Sequence, residues 1–438
     1  IEISRYTLYT GEPIFTGKFR TLPGPRFWLP LYLMLDMGVF FPYLAASAAV
    51  PLFVVIYGEL PDAENQQHGI LLNVFAVAIF LGALIPLLFG GKVYNSLKVV
   101  MSFKLITVLG FLIFLAMFYS TGDTWAEIFS GFFKFGTVPV VDETNPAALD
   151  NIFTSLFSGN GFPAIDMTAV GILAAMAAIA GNGGLTNTPI SNYTRDQGWG
   201  MGSEVGAIPS IIGGQTIHLS HVGKVFQVTK DSIRRWKGWV RHISRDQLAV
   251  WMPACFIGLA LPSMLSVQFL ERGLVLENKD QAAVMTAGGV RDAVGGSLGD
   301  VCFYLTIFCG FLVLGTSVVA TADGVLRRWV DVFWTASRTL RQVDPRNISK
   351  VYFGVLCVYA AAGIVLLLSA RPTTLLVIST NIYNYALGIS CWHTIAVNSV
   401  LLPNELKPSV GRRALLAAAG TFFLMIAVLS TIAFFQQK

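Results

Sequence analysis

Long apolar runs separated by short polar connections dominate the chain. They lie at about 28–56, 70–90, 96–119, 166–193, 247–270, 300–325, 351–369, 373–402 and 413–435. Each is on the scale of the ~20 residues that a helix needs to cross the hydrocarbon core. The alternation of ~10-residue segments that marks a membrane barrel is absent. The pattern predicts an all-α polytopic membrane protein, one transmembrane domain over 1–438 with nine spans.

Two runs are interrupted by polar residues. After DMTAVGILAAMAAIA the chain continues GNGGLTNTPISNYTRDQGWGMG, with Gly181, Gly183, Gly184 and Pro189 interleaved with Asn182, Thr186, Asn187 and Thr188. In hydrocarbon every backbone N–H and C=O needs a partner, so a helix opens only where protein or a cavity supplies one. The other reading ends the span at Gly181 and makes the rest a loop, but the apolar stretch before Gly181 is short for a crossing. A broken helix is the preferred reading, with Thr186, Asn187 and Thr188 on a polar cavity wall, because interrupted helices near the midplane hold ions in secondary transporters.

The second interruption is VISTNIYNYALGISCWHT at 377–394, where Asn381 and Asn384 are three apart and share a helix face. They read either as cargo contacts or as hydrogen-bonding glue between helices. In GTSVVATADG, Thr316 and Asp323 are coupling or gating candidates, although Asp323 also stands near Arg327 and Arg328, where it could form an ion pair. Asp36 is the most deeply placed carboxylate, and intramembrane acids mark ion and proton pathways. His393 is the one histidine in a span and reads first as a helix-contact residue.

Composition agrees with the pattern: 54% of residues are hydrophobic and 13% charged, against ~45–50% and ~25% in soluble domains. The basic residues gather at one side, with Lys18, Arg20 and Arg26, then Lys92, the run from Lys224 to Arg245, that from Arg327 to Lys350, and Lys407, Arg412 and Arg413. The alternate connections are acidic. The positive-inside rule therefore makes residues 1–27 cytoplasmic and puts the C-terminus outside. The net charge of +5 is a topology signal, and no nucleic-acid partner follows from it.

The five cysteines fall in spans without C-x-x-C spacing, and no hydrolase, nucleotide-loop or zinc motif is present. The chain reads as a non-enzyme without a cofactor. Between 194 and 246, QTIHLSHVGKVFQVT predicts a β-hairpin. KDSIRRWKGWVRHISRDQ predicts a basic amphipathic segment suited to anionic lipid at 230–245. The acidic connection 120–165 either gathers cations outside or is solubilising charge.

Several stretches carry a family likeness. RYTLYTGEPIFTGKFRTLPGPRFW, GGKVYNSLKVVMSFKLITVLGFLIF, GGLTNTPISNYTRDQGWGMGSEVGAIPSIIGG, FCGFLVLGTSVVATADGVLRRWVDVFW and TTLLVISTNIYNYALG follow one another in an order that resembles the Nramp family of divalent-metal transporters, in particular its divergent bacterial Nramp-like branch. The likeness covers nearly the whole chain. It implies a LeuT-type helical bundle of two inverted repeats, each opening with a broken helix, in a bacterial inner membrane. Eleven spans would be expected, so the resemblance implies two further spans before Ile1, including a first broken helix that supplies an Asp and an Asn to the metal.

Where the family carries Met-Pro-His, this chain has Leu185, Thr186, Asn187, Thr188 and Pro189. Loss of the soft thioether favours hard cations such as Mg²⁺, Ca²⁺ or Mn²⁺, and loss of the His puts family-style proton coupling in doubt. The implied function is alternating-access transport of a divalent cation, Mg²⁺ or Mn²⁺ in class, as cargo, with Thr186, Asn187, Thr188, Asn381 and Asn384 as its ligands. The alternatives are an organic-solute transporter, for amino acids for example, and a non-transporting scaffold subunit of a membrane complex.

Overall fold

The computed structural model describes residues 1–62, 64–88, 92–142, 144–145, 148–180, 183–206, 222–271, 284–336, 348–370 and 372–436. Two short helices, α1 (Glu2–Thr10) and α2 (Ile14–Arg20), precede the first apolar run. That run is not the single span expected over 28–56. It divides into α3 (Pro25–Asp36), a 3₁₀ turn over Met37–Phe40, and α4 (Tyr43–Tyr57). Pro42 has no N–H to offer the carbonyl of Gly38, which takes the Phe41 N–H at 3.4 Å and the Ser379 hydroxyl at 2.6 Å. A break inside an apolar run is thus satisfied by another helix, as hydrocarbon requires.

The helices α5 (Gln66–Leu88) and α6 (Lys92–Tyr119) follow, and then the acidic connection, which holds α7 (Gly122–Gly131), strands β1 (Thr137–Pro139) and β2 (Leu149–Asn151), and α8 (Ile152–Phe157). The strands pair antiparallel with Thr137 opposite Asn151, a small exception in an otherwise helical chain. The next run opens in its second half: α9 (Met167–Ile179) is followed by a 3₁₀ turn over Gly184–Asn187 and by α10 (Pro189–Asp196), then α11 (Gly202–Val205).

Of the stretch expected to form a hairpin, residues 215–221 lie outside the described residues. Residues 222–229 belong to no strand; the Lys224 N–H donates to Thr10 O at 3.0 Å and the Gly223 N–H to Glu12 Oε1 at 2.7 Å. Backbone donors that a hairpin would use are therefore spent on α1 and the turn after it. The basic segment is helical, α12 (Lys230–Asp246), started by a reciprocal Thr229–Ser232 capping box. A π-helical turn over Gln247–Trp251 carries it into α13 (Met252–Phe269).

The remaining helices are α14 (Met285–Val294), α15 (Gly296–Ala336), α16 (Ile348–Ser369), α17 (Pro372–Val400) and α18 (Val410–Gln436). At 41 residues, α15 runs well past the apolar stretch 300–325. Among the described residues, eight helical stretches are long and apolar enough to cross a membrane. The chain is an all-α polytopic membrane protein. The 29-residue α17 has the length, but its polar side chains keep its apolarity below that of the eight. Val99, Phe103, Ile106 and Met117 on α6, with Leu415, Phe422 and Met425 on α18, are exposed, an arrangement that needs lipid around it.

One core joins α4, α5, α15, α16 and α17 through Tyr43, Phe80, Ala322, Leu326, Tyr359 and Tyr383. A second caps one end, where Tyr6, Phe15, Tyr32, Trp236, Ile243 and Leu406 close on one another. α17 and α18 meet at glycines. A Cβ on Gly388 would come within 2.5 Å of Leu424 Cγ and 2.9 Å of Gly420 O, the close backbone approach that small residues allow between membrane helices. Gly388→Ala is expected to cost about 1–3 kcal/mol despite alanine's better helix propensity. Gly310→Ala, which meets nothing within 4 Å, should be neutral or stabilising by up to ~1 kcal/mol. Thermal unfolding of both variants in one detergent checks the contrast.

Candidate functional site

The two helix breaks meet on one aromatic ring. Tyr383 of α17 is buried between them. A Cβ on Gly38 would stand 3.0 Å from the ring, one on Gly183 2.7 Å, and one on Gly184 2.5 Å. Gly184 also has φ +64°, a region that side chains disfavour. Gly184 is therefore required twice over, for contact with Tyr383 and for the turn itself, whereas Gly38 and Gly183 are required for the contact alone.

An ion pair bridges the same two breaks. Arg328, on α15, donates to both Asp36 oxygens at 2.9 Å, Nε to Oδ2 and Nη2 to Oδ1. The Trp329 indole N–H adds a bond to Oδ2 at 2.6 Å. Nη1 of the same guanidinium reaches Leu185 O at 3.4 Å. Asp36 ends α3 at the first break and Leu185 lies in the second, so one cation holds both. Asp36 and Arg328 are each 2% exposed, and the carboxylate expected as a coupling candidate is fully engaged.

The other candidates divide. The Thr186 hydroxyl donates to Gly183 O, Thr188 to Leu185 O at 2.6 Å, and Ser191 to Thr188 O at 2.7 Å. These hydroxyls add a second bond to carbonyls that already take the backbone N–H three residues on. Asn187 is half-buried, and its enclosed Oδ1 accepts no hydrogen bond from the described residues.

Asn381 and Asn384 turn to different neighbours. Asn384 donates from Nδ2 to Ala174 O on α9 at 3.0 Å. Asn381 donates to Thr431 Oγ1 on α18 at 2.9 Å, where Tyr385 also bonds. Both amide orientations follow from chemistry: a carbonyl only accepts, and the Thr431 proton is committed to Ala427 O at 2.8 Å. Each asparagine consequently leaves a buried Oδ1 with no donor among the described residues.

Thr316 and Asp323 lie apart from the breaks in sequence along α15. The Thr316 hydroxyl bonds Leu312 O in its own helix at 2.7 Å, roughly 18 Å along the axis from Arg328 at 1.5 Å per residue. The partner of Arg328 is Asp36, across the bundle, and not Asp323 in its own helix. Among the described residues, no three His, Cys, Asp or Glu side chains come together as a metal centre. A cation at the breaks would meet neutral oxygens.

The basic helix α12 turns its apolar stripe inward. Trp236 and Ile243 are buried, with the Arg5 guanidinium 5.1 Å over the Trp236 ring. Lys230, Arg234, Arg235, Lys237 and Arg241 remain exposed. The apolar stripe that would enter a bilayer is thus taken by the protein, and the outward face carries charge.

The sequence signalled the second break through a dense run of Gly, Asn, Thr and Pro. The first break, and the arginine that ties it to the second, went unseen; DMGVFFP carries only Gly38 and Pro42 as signals. No family model matches the chain, and no curated protein does.

Proposed function

We propose that this membrane protein is a secondary transporter of a divalent cation of the Mg²⁺ or Mn²⁺ class, built as a LeuT-type bundle and working by alternating access. The observation that carries the reading is the meeting of two helix breaks at Tyr383, with amide oxygens at Asn187 and Asn384 that take no donor among the described residues, on the elements that meet there. A buried acceptor left without a donor costs about 1–3 kcal/mol, which a bound cation would offset. Amide, hydroxyl and carbonyl oxygens suit hard cations. A site without clustered carboxylates suits an ion that keeps part of its water shell, as Mg²⁺ usually does.

The bridge from Arg328 to Asp36 and Leu185 O supplies the mechanical link. Because one guanidinium holds both breaks, they move together or the bridge opens. On the positive-inside argument residues 1–27 face the cytoplasm of a bacterial inner membrane, and the exposed face of α12 meets anionic headgroups there.

The test is uptake of Mg²⁺, Mn²⁺ and Ca²⁺ into proteoliposomes, with internal pH recorded. Saturable uptake of one ion is expected, and Asn187→Leu should lower kcat/KM at least about tenfold, a loss of ~1.4 kcal/mol. Unchanged uptake in that variant removes Asn187 from the path. Competition by amino acids instead of metal ions would assign an organic cargo, and absence of any uptake would assign a scaffold role.

A further inference from the structure

Away from the breaks, the structure buries a second set of titratable groups where α2 and the start of α3 pack on α17. Lys18 is fully enclosed. Its Nζ is 2.6 Å from Ser390 Oγ, a pair in which an ammonium donates and a neutral amine accepts. The same nitrogen lies 4.6 Å over the Tyr32 ring and 5.4 Å from that of Phe15. His393, one turn beyond Ser390, stacks on Trp28 with centroids 3.8 Å apart.

Both ring nitrogens of His393 are bonded, and the bonds define its tautomer. The Thr21 hydroxyl gives its only proton to Lys18 O at 2.7 Å. Thr21 Oγ1 must then accept from His393 Nε2–H, at 2.7 Å, which leaves Nδ1 to accept from the Tyr32 hydroxyl at 2.8 Å. The chain of bonds is complete with every member neutral.

Among the described residues, no carboxylate compensates Lys18. On the elements around it, Glu2 of α1 is held by Arg5 at 2.7 Å, and Asp36 of α3 by Arg328 of α15. Glu12, between α1 and α2, is bonded twice by Arg20 at 2.6 Å and once by the Tyr6 hydroxyl at 2.6 Å. Arg195 of α10 pairs with Asp196. From α17 the titratable groups nearest Lys18 are His393 and the thiol of Cys391.

We propose that this cluster is a proton-linked latch: proton uptake by Lys18 frees residues 1–22 from α17, and proton loss closes them onto it. An enclosed ammonium with one hydroxyl and two ring faces lacks the counter-charge that burial demands, whereas an opened segment returns it to water. Burial lowers the Lys18 amine to about 7, the Cys391 thiol acting in the opposite sense, against about 10.4 for a solvated lysine. Between those values the closed latch binds fewer protons than the open one. Closure therefore strengthens as pH rises through that window, and Lys18 itself adds no pH dependence below it. The latch bears on α17, the same helix that presents Ser379 and Tyr383 to the breaks and Asn384 to α9, and it holds whatever the cargo is.

Hydrogen exchange of the full chain in lipid nanodiscs, from pH 6 to 9 and corrected for intrinsic rates, tests it. Above about pH 7, where an exposed imidazole is already neutral, protection of amides 2–20 should rise on the order of tenfold per pH unit. Lys18→Met, uncharged and of similar length, should abolish the rise. Ser390→Asp should abolish it too, by supplying a carboxylate that keeps Lys18 charged in the closed state, and it serves if Lys18→Met does not fold. A level wild-type profile, or a rise that survives in both variants, overturns the latch.

Discussion

Arg328→Met should lower the unfolding free energy by about 3–5 kcal/mol, the range for removing one partner of a buried ion pair. The variant strands the Asp36 carboxylate, 2% exposed, with only the Trp329 N–H to bond it. It also removes the donor to Leu185 O. Asp36→Leu alone should cost a similar amount, because it strands the guanidinium instead. The double variant Asp36→Leu/Arg328→Met should recover most of the loss, since apolar replacement of both partners is often neutral. Thermal or denaturant unfolding in detergent, read by tryptophan fluorescence, measures all three.

Stability and function should part in the double variant. Its fold returns, but the guanidinium bridge from α3 to the turn at Leu185 is gone, leaving only apolar packing between them. If that bridge couples the two breaks, uptake stays impaired in the recovered protein. Recovery of stability together with full uptake would make the pair a packing device only.

How much of this was legible beforehand varies with the physics involved. Bilayer thickness alone dictates apolar runs of a given length, so the spans stood out. The break at 183–188 is dense in residues that weaken helices, whereas Met37–Phe40 is apolar and its opening depends on Ser379, some 340 positions later. Spacing alone put Asn381 and Asn384 on one face, yet α17 runs between α9 and α18, and a face that wide serves two neighbours. A lysine in a basic segment reads as solvated. Lys18 is enclosed because Phe15, Tyr32 and Ser390 close around it, and the sequence pattern carries no sign of that.

Asn384→Leu should reduce cation uptake roughly 10- to 100-fold, equivalent to ~1.4–3 kcal/mol of lost stabilisation, whereas Asn384→Asp should keep much of it. Both variants lose the Nδ2–H bond to Ala174 O, and aspartate also sets a second carboxylate oxygen against that carbonyl, so the structural penalty between α17 and α9 is no smaller for Asp than for Leu. They differ in that aspartate retains an oxygen where Oδ1 now has no donor. Uptake that survives in the Asp variant and fails in the Leu variant isolates that oxygen as a ligand, and a carboxylate there would strengthen the hold on a hard cation. Equal loss in both would mean that Asn384 only joins helices. Asn381→Leu supplies the contrast: its amide faces Thr431 on α18, so its loss should lower the melting temperature and leave kcat/KM within a few-fold of the parent.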